Sequence, residues 1–256
     1  MKLKTLTGLL LCCYFAVVNA AEDLTINIRV GIHAQPPFQL ENPKGGAAYE
    51  LVRALNTVQS TFNFELVPIP VKRKIQSMQE GWIDVSIFDN PKWGWQQKVN
   101  TSFSLIKTQD VFITKNKPGI VQNYLKEYDD KKIVLVRGYH YNFIDFETEV
   151  TEISRKIDVT LVNSEVELIK MVLMDRADIG VVNNVTLDWF LKQNTRYRDD
   201  IYRSNFFDSE VQRYLLTFEG SPIDTEEVNA IISLADKKGL LAPIYKKYAM
   251  EKPTFN

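Results

Sequence analysis

Two adjacent prolines, Pro36 and Pro37, follow a β-rich run at Thr25–Val30, and they constrain the fold of this chain more than any other feature. Proline has no backbone N–H and a fixed φ, so a central strand cannot continue through Gly31-Ile32-His33-Ala34-Gln35-Pro36-Pro37-Phe38. The chain must leave the sheet there in an extended turn that presents Phe38 beyond the strand's carboxyl end. In open α/β sheets that end is where ligands bind.

Upstream, Lys2 and Lys4 precede an apolar stretch at Leu6–Val18 and a small-residue cleavage signal at Val18-Asn19-Ala20. This pattern predicts a signal peptide over 1–20, too short to span a membrane, and a mature chain starting at Ala21. Cys12 and Cys13, the only cysteines, fall inside it, and Leu11 is too bulky for lipoprotein cleavage. The expectation is a soluble periplasmic product with no disulfide, long enough to be stabilised by its own core. With 31 basic against 32 acidic residues, no basic excess points to nucleic acid or an anionic membrane.

Further along, β-rich runs alternate with helical ones, which predicts an α/β fold of mostly parallel sheet with crossover helices. Ala48, Leu51, Val52, Leu55, Val58 and Phe62 recur at helical spacing, and Phe64–Ile69 reads as the next strand. Val71–Gly81 reads as a short helix and Asp84–Phe88 as a third strand. A second set follows Lys115–Gly119: strands at Lys132–Val136, Val159–Val162 and Asp178–Val182, and helices at Asn142–Ile153, Ser164–Arg176 and Thr186–Gln193. Two C-terminal helices, Asp224–Gly239 and Leu241–Tyr248, need a surface to pack on. That need predicts two lobes, the first discontinuous over 21–110 and 206–256 and the second over 111–205. The chain would cross at Phe103–Lys115 and Tyr202–Phe218, with ligand binding between the lobes.

From Ile28 to Tyr248 the chain resembles family 3 of the bacterial extracellular solute-binding proteins. The resemblance lies in Gly31–Phe38, Gln79–Val85, Phe103-Ser104, Ile133–Gly138, Asp175–Val182 and Gly239–Tyr245, taken in order. It implies a two-lobed periplasmic-binding-protein fold and capture of a small ligand for an inner-membrane permease. It implies no cofactor, and the expected state is a monomer.

Two departures from that family bear on the ligand. Amino-acid-binding members carry a threonine and an arginine after the third strand, which grip the α-carboxylate. Here the stretch is Asp89-Asn90-Pro91-Lys92-Trp93-Gly94-Trp95-Gln96-Gln97, and the arginine position falls on Gln96 or Gln97. The family's second-lobe aspartate, which meets the α-ammonium, corresponds to Asn183. A zwitterion left with both charges unpaired in a closed cleft costs several kcal/mol. A standard α-amino acid is therefore not the expected ligand.

The cleft is expected to offer aromatic and amide surface instead. Phe38, Trp93, Trp95, Tyr139 and Tyr141 fall in loops at the mouth, where rings stack on a sugar, a heterocycle or a cation. The tryptophans have a second reading, as covers of a lobe's core. Arg73, in Pro70-Val71-Lys72-Arg73, is either an anion-pairing residue at the start of a helix or part of a solvated basic turn. Asp89, Asn90 and Gln96 from the third-strand loop, and Gly138, Tyr139, His140 and Asn183 from the second lobe, complete the candidate set. His33 and His140 have no metal-ligand spacing, so no metal site is expected.

Two other functions fit the same fold. One is a sensory accessory that presents its closed form to a receptor. The other is a periplasmic dehydratase of the cyclohexadienyl type, with Glu41 or Asp89 as acid and Arg73 as anchor. The second lacks a paired-carboxylate motif or nucleophile elbow, so the chain is read as a binding protein and not an enzyme.

Overall fold

A computed structural model describes residues 25–40, 45–95 and 97–255. The expected signal peptide, Glu41 and Gln96 lie outside the described residues. Strand β1 (Ile26–Ile32) pairs in parallel with β2 (Phe62–Pro68) on one side and β3 (Val85–Asp89) on the other. Helix α1 (Ala47–Val58) connects the first two and buries Ala48, Leu51, Val52, Leu55 and Val58 along one face, as the spacing predicts, whereas Phe62, counted in the same spacing, is the first residue of β2. Between β2 and β3 the chain makes a 3₁₀ turn, Val71–Arg73, before α2 (Lys74–Gln79) begins. Strand β4 (Val99–Thr101) lies at the edge.

Strand β5 (Ile106–Lys115) carries the chain into a second lobe. There β6 (Ile133–Val136) lies parallel between β7 (Val159–Val162) and β8 (Ile179–Asn183), with α3 (Val150–Lys156), α4 (Glu165–Leu173) and α5 (Asn184–Gln193) as connections. Strand β9 (Ile201–Phe218) runs back: Ile201–Arg213 pairs with β5, and Tyr214–Phe218 pairs with β3 and β4. Helices α6 (Thr225–Lys237) and α7 (Leu241–Lys247) then pack Ile232 and Tyr245 into the first lobe's core beside Leu51 and Val85.

Both crossings therefore exist as strands, and one sheet of order β2-β1-β3-β9-β5-β8-β6-β7 curls through both lobes. Each lobe's centre is parallel as expected. The crossing strands run antiparallel to it, so the sheet as a whole is mixed. The expected helix at Asn142–Ile153 is not continuous. A single 3₁₀ turn, Asn142–Ile144, stops where Asp145 and Phe146 take φ of 61° and 60°, and α3 begins only at Val150. The Asp208 carboxylate accepts the backbone N–H groups of Asn142 and Phe143, which offers those donors a partner outside any helix.

Candidate functional site

The loop after β1 is tied to the start of α1. Ala47 and Ala48 donate their N–H groups to the carbonyls of Pro37 and Phe38, both at 2.9 Å. Gly46 makes this approach possible: its φ is +109°, and a Cβ there would lie 2.4 Å from the Phe38 carbonyl oxygen. The tie turns Phe38 inward, where it is buried and its ring packs 4.7 Å from that of Phe88.

A cavity of about 530 Å³ lies between the lobes. The first lobe contributes His33, Gln35, Lys72, Lys74 and Trp93, and the second contributes Gly138, Tyr139, His140 and Glu149. The crossing strands contribute Asp110 and Arg213. At the mouth the lobes approach closely, with a Cβ on Gly138 falling 3.7 Å from Lys72 and one on Gly94 falling 3.8 Å from His140.

Arg213 is the dominant charge. It is 3% exposed, donates from Nη1 to Gln35 Oε1 at 2.6 Å and from Nε to Thr108 Oγ1 at 3.1 Å. Its guanidinium lies between two rings, 5.0 Å from the centroids of Phe38 and of Trp93. Among the described residues no carboxylate comes within ion-pair distance of it. A buried cation without a counter-ion costs free energy that an anionic ligand can offset.

Asp110 is the complementary group on the same ribbon. It accepts from the Ser209 hydroxyl at 2.8 Å and from Asn183 Nδ2 at 3.3 Å, and no cation of the described residues pairs with it. Asp110 stands opposite Ser209, Thr108 opposite Val211 and Ile106 opposite Arg213. Alternation with period two thus puts Thr108, Asp110, Ser209 and Arg213 on one face, toward the cavity.

His33, His140 and Tyr139 add neutral hydrogen-bonding surface to the cavity. Burial pushes the His33 imidazole down to about 4 and lowers His140 as well. Burial also holds the Tyr139 phenol well above its ordinary value.

The structure brings Trp93, Gly138, Tyr139 and His140 of the expected set to the cavity. Arg73 is exposed and outside the lining, because the 3₁₀ turn rotates it away and turns Lys74 inward instead. Lys74 Nζ reaches Asp89 Oδ1 at 3.2 Å and the Trp93 carbonyl at 3.1 Å, and lies 4.7 Å from the Trp95 ring. Asp89 is buried behind this lysine, accepting also from Ser86 at 2.7 Å. Asn90 donates to the Gln212 carbonyl at 2.7 Å, which fastens the tryptophan loop to β9. Trp95 packs against Phe218 at 5.0 Å, the core-covering reading. Phe38, expected at the cleft mouth, is instead 1% exposed and outside the lining, with its ring 5.0 Å from the Arg213 guanidinium. Asn183 is fully buried and caps α5 by accepting from the Val185 N–H at 3.1 Å. Tyr141 is buried, its hydroxyl accepting from the Val136 N–H at 3.0 Å. Gln96 lies outside the described residues.

Arg213, Asp110, Gln35 and Lys74 were not singled out by sequence. The usable signal was a charged residue at an inward-facing position of a strand, as Arg213 is in Val211–Phe218.

Several solved structures share the fold over most of their length. One is the glutamate-bound GluR0 ligand-binding core from Nostoc punctiforme, at TM-score 0.68 and 16% identity, covering 86% of this chain and 98% of that one. An ancestral arginine-binding protein bound to arginine aligns at TM-score 0.67 and 20% identity, covering 87% and 97%. An ABC uptake transporter substrate-binding protein from Streptococcus pneumoniae with bound histidine aligns at TM-score 0.71 and 19% identity, covering 87% and 92%. A search of curated protein sequences finds no match. The model of the bacterial extracellular solute-binding proteins, family 3, matches residues 28–251, and this chain belongs to that family.

Proposed function

We propose that this protein captures a small polar ligand carrying a carboxylate and delivers it from the periplasm to an inner-membrane importer. The observation that carries the reading is Arg213, a buried guanidinium that faces the cavity without a carboxylate partner among the described residues. The ligand's anionic group would take the remaining guanidinium donors, its flat part would lie against Trp93 and Tyr139, and a donor or cationic group would meet Asp110. The missing family charges argued against an amino acid. Arg213 and Asp110 supply one charge of each sign from the crossing strands, so amino acids return to the candidate list beside other carboxylates. The S. pneumoniae protein, named for ABC uptake, supports the importer assignment by likeness of fold. No helix of the described residues is long and apolar enough to cross a membrane.

A thermal-shift screen tests the reading, with amino acids, dicarboxylates, aromatic acids, polyamines and short sugars each at millimolar concentration. A ligand at 100 times its dissociation constant stabilises the native state by about 2.7 kcal/mol. Carboxylates are expected to raise Tm in the wild type and not in Arg213→Ala. A rise confined to uncharged sugars or polyamines would overturn the assignment.

A further inference from the structure

The Thr186 hydroxyl oxygen lies 2.6 Å from the Pro36 carbonyl oxygen of the first lobe and 2.7 Å from Glu165 Oε2 of its own lobe. A threonine hydroxyl carries one hydrogen and donates once. Two oxygens at those distances need two protons, and an ionised carboxylate supplies none. An uncharged carboxyl balances the count: Glu165 donates to Thr186, and Thr186 donates to Pro36. Glu165 Oε1 then accepts the Asn183 backbone N–H at 2.7 Å, and Oε2 still accepts from Gln35 Nε2 at 2.8 Å. Glu165, Thr186 and Gln35 are all at least 97% buried.

We infer that Glu165 is held as a neutral carboxylic acid and acts as a positioning residue, fastening the second lobe to the Gln35-Pro36 segment of the first and so fixing the Arg213 guanidinium. Gln35 makes the connection. Its Nε2 donates to Glu165 and its Oε1 accepts from Arg213 at 2.6 Å. An amide has one donor end and one acceptor end, so this polarity is set once both neighbours are in place.

The groups facing Glu165 agree with an uncharged state. Asp110 on β5 opposes a second negative charge, and after β6 the half-buried Tyr139 and the buried Tyr141 are neutral phenols whose pKa desolvation raises. His33 after β1 is half-buried and its pKa is lowered by desolvation, and Arg213 on β9 is separated from Glu165 by the Gln35 amide. Burial is the largest influence and raises the Glu165 pKa. Its place in the first turn of α4 favours the anion, but only weakly beside the desolvation of a carboxylate with no cation.

Only the last step, from Gln35 to Arg213, rests on the ligand reading above; the fastening of the lobes stands without it. Two measurements on the secreted protein, stripped of ligand by unfolding and refolding, test it. Infrared spectroscopy at neutral pH is expected to show a carboxylic-acid carbonyl band above amide I that is missing in Glu165→Gln. Spin labels at Lys92→Cys and Ser154→Cys, exposed positions on opposite lobes, report the lobe separation. That distance is expected to lengthen and broaden in Thr186→Val, recover in Thr186→Ser, and lengthen in the wild type as pH rises enough to bleach the acid band. Absence of a Glu165-dependent band at neutral pH overturns the inference, and so does an unchanged distance in a cooperatively folded Thr186→Val. The infrared arm does not depend on the valine variant folding. Failure of the ligand reading shows separately, as carboxylates that leave Tm unmoved while band and distances behave as expected.

Discussion

The Arg213 guanidinium rests 5.0 Å from the centre of the Phe38 ring, so the aromatic residue that the prolines push out of β1 supports the cavity's cation. Phe38 is 1% exposed and packed on Phe88. Stacking of this kind is worth about 2 kcal/mol when desolvated, and it holds the guanidinium plane without using its hydrogen bonds. Those donors are left for Gln35, Thr108 and a ligand.

Replacing Arg213 by alanine should weaken binding of a carboxylate ligand by more than tenfold, because the charge pair it would form is desolvated. Arg213→Lys should recover only part of the loss, since an ammonium lacks the planar fork and cannot sit between Phe38 and Trp93 in the same way. Isothermal titration with any carboxylate found by thermal shift measures both. Unchanged affinity in Arg213→Ala removes it from the site.

Arg73 and its neighbour Lys74 should behave oppositely. Arg73→Ala is expected to leave affinity within about twofold and stability within about 0.5 kcal/mol, as for an exposed side chain with no special contact. Lys74→Ala leaves Asp89 buried with no cation and should destabilise the fold by about 3 kcal/mol. In a chain of this size that lowers Tm by roughly 10 °C. Denaturant melts of the two variants decide the matter, and equal stability would mean that the buried pair contributes little.

His33 should make the protein acid-sensitive. Its folded pKa, about 4, lies below the ordinary histidine value of 6.5 because of burial. The unfolded chain therefore binds the proton more readily, and stability contributed by neutral His33 is lost as pH falls from about 6.5 toward 4. Glu165 acts in the other direction. With its pKa raised, stability is full below the ordinary glutamate range and declines as pH rises toward the folded value. Melts across pH should show both slopes, with His33→Gln removing the acid one and Glu165→Gln the other.

Gly46→Ala should destabilise by more than about 1 kcal/mol, since alanine at positive φ is strained and its Cβ would collide with the Phe38 carbonyl. The collision also disturbs the Pro36-Pro37-Phe38 loop, so ligand affinity should fall with Tm. Normal Tm and affinity would show that the loop can shift at little cost.

The fold was largely legible in the chain. Apolar spacing places α1, the Ser164 hydroxyl accepting the Glu167 N–H marks the start of α4, and the double proline ends β1 near Ile32. The two crossings follow from C-terminal helices that need the first lobe's core. Asn142–Ile153 misled because Asp208, some 66 residues away, takes the N–H groups of Asn142 and Phe143.

By itself the sequence determined the elements and their order, because periodicity, proline and glycine act on the backbone within a few residues. It also determined the resemblance to a solute-binding family, and through it where the cavity should open. Tertiary structure alone decided which side chains line that cavity. One residue of phase at the start of a helix turns a side chain through about 100°, enough to exchange Arg73 for Lys74. Arg213, Asp110, Gln35 and Glu165 come together only when β5 and β9 join the lobes, since partners as far apart as 178 and 130 residues leave no local trace.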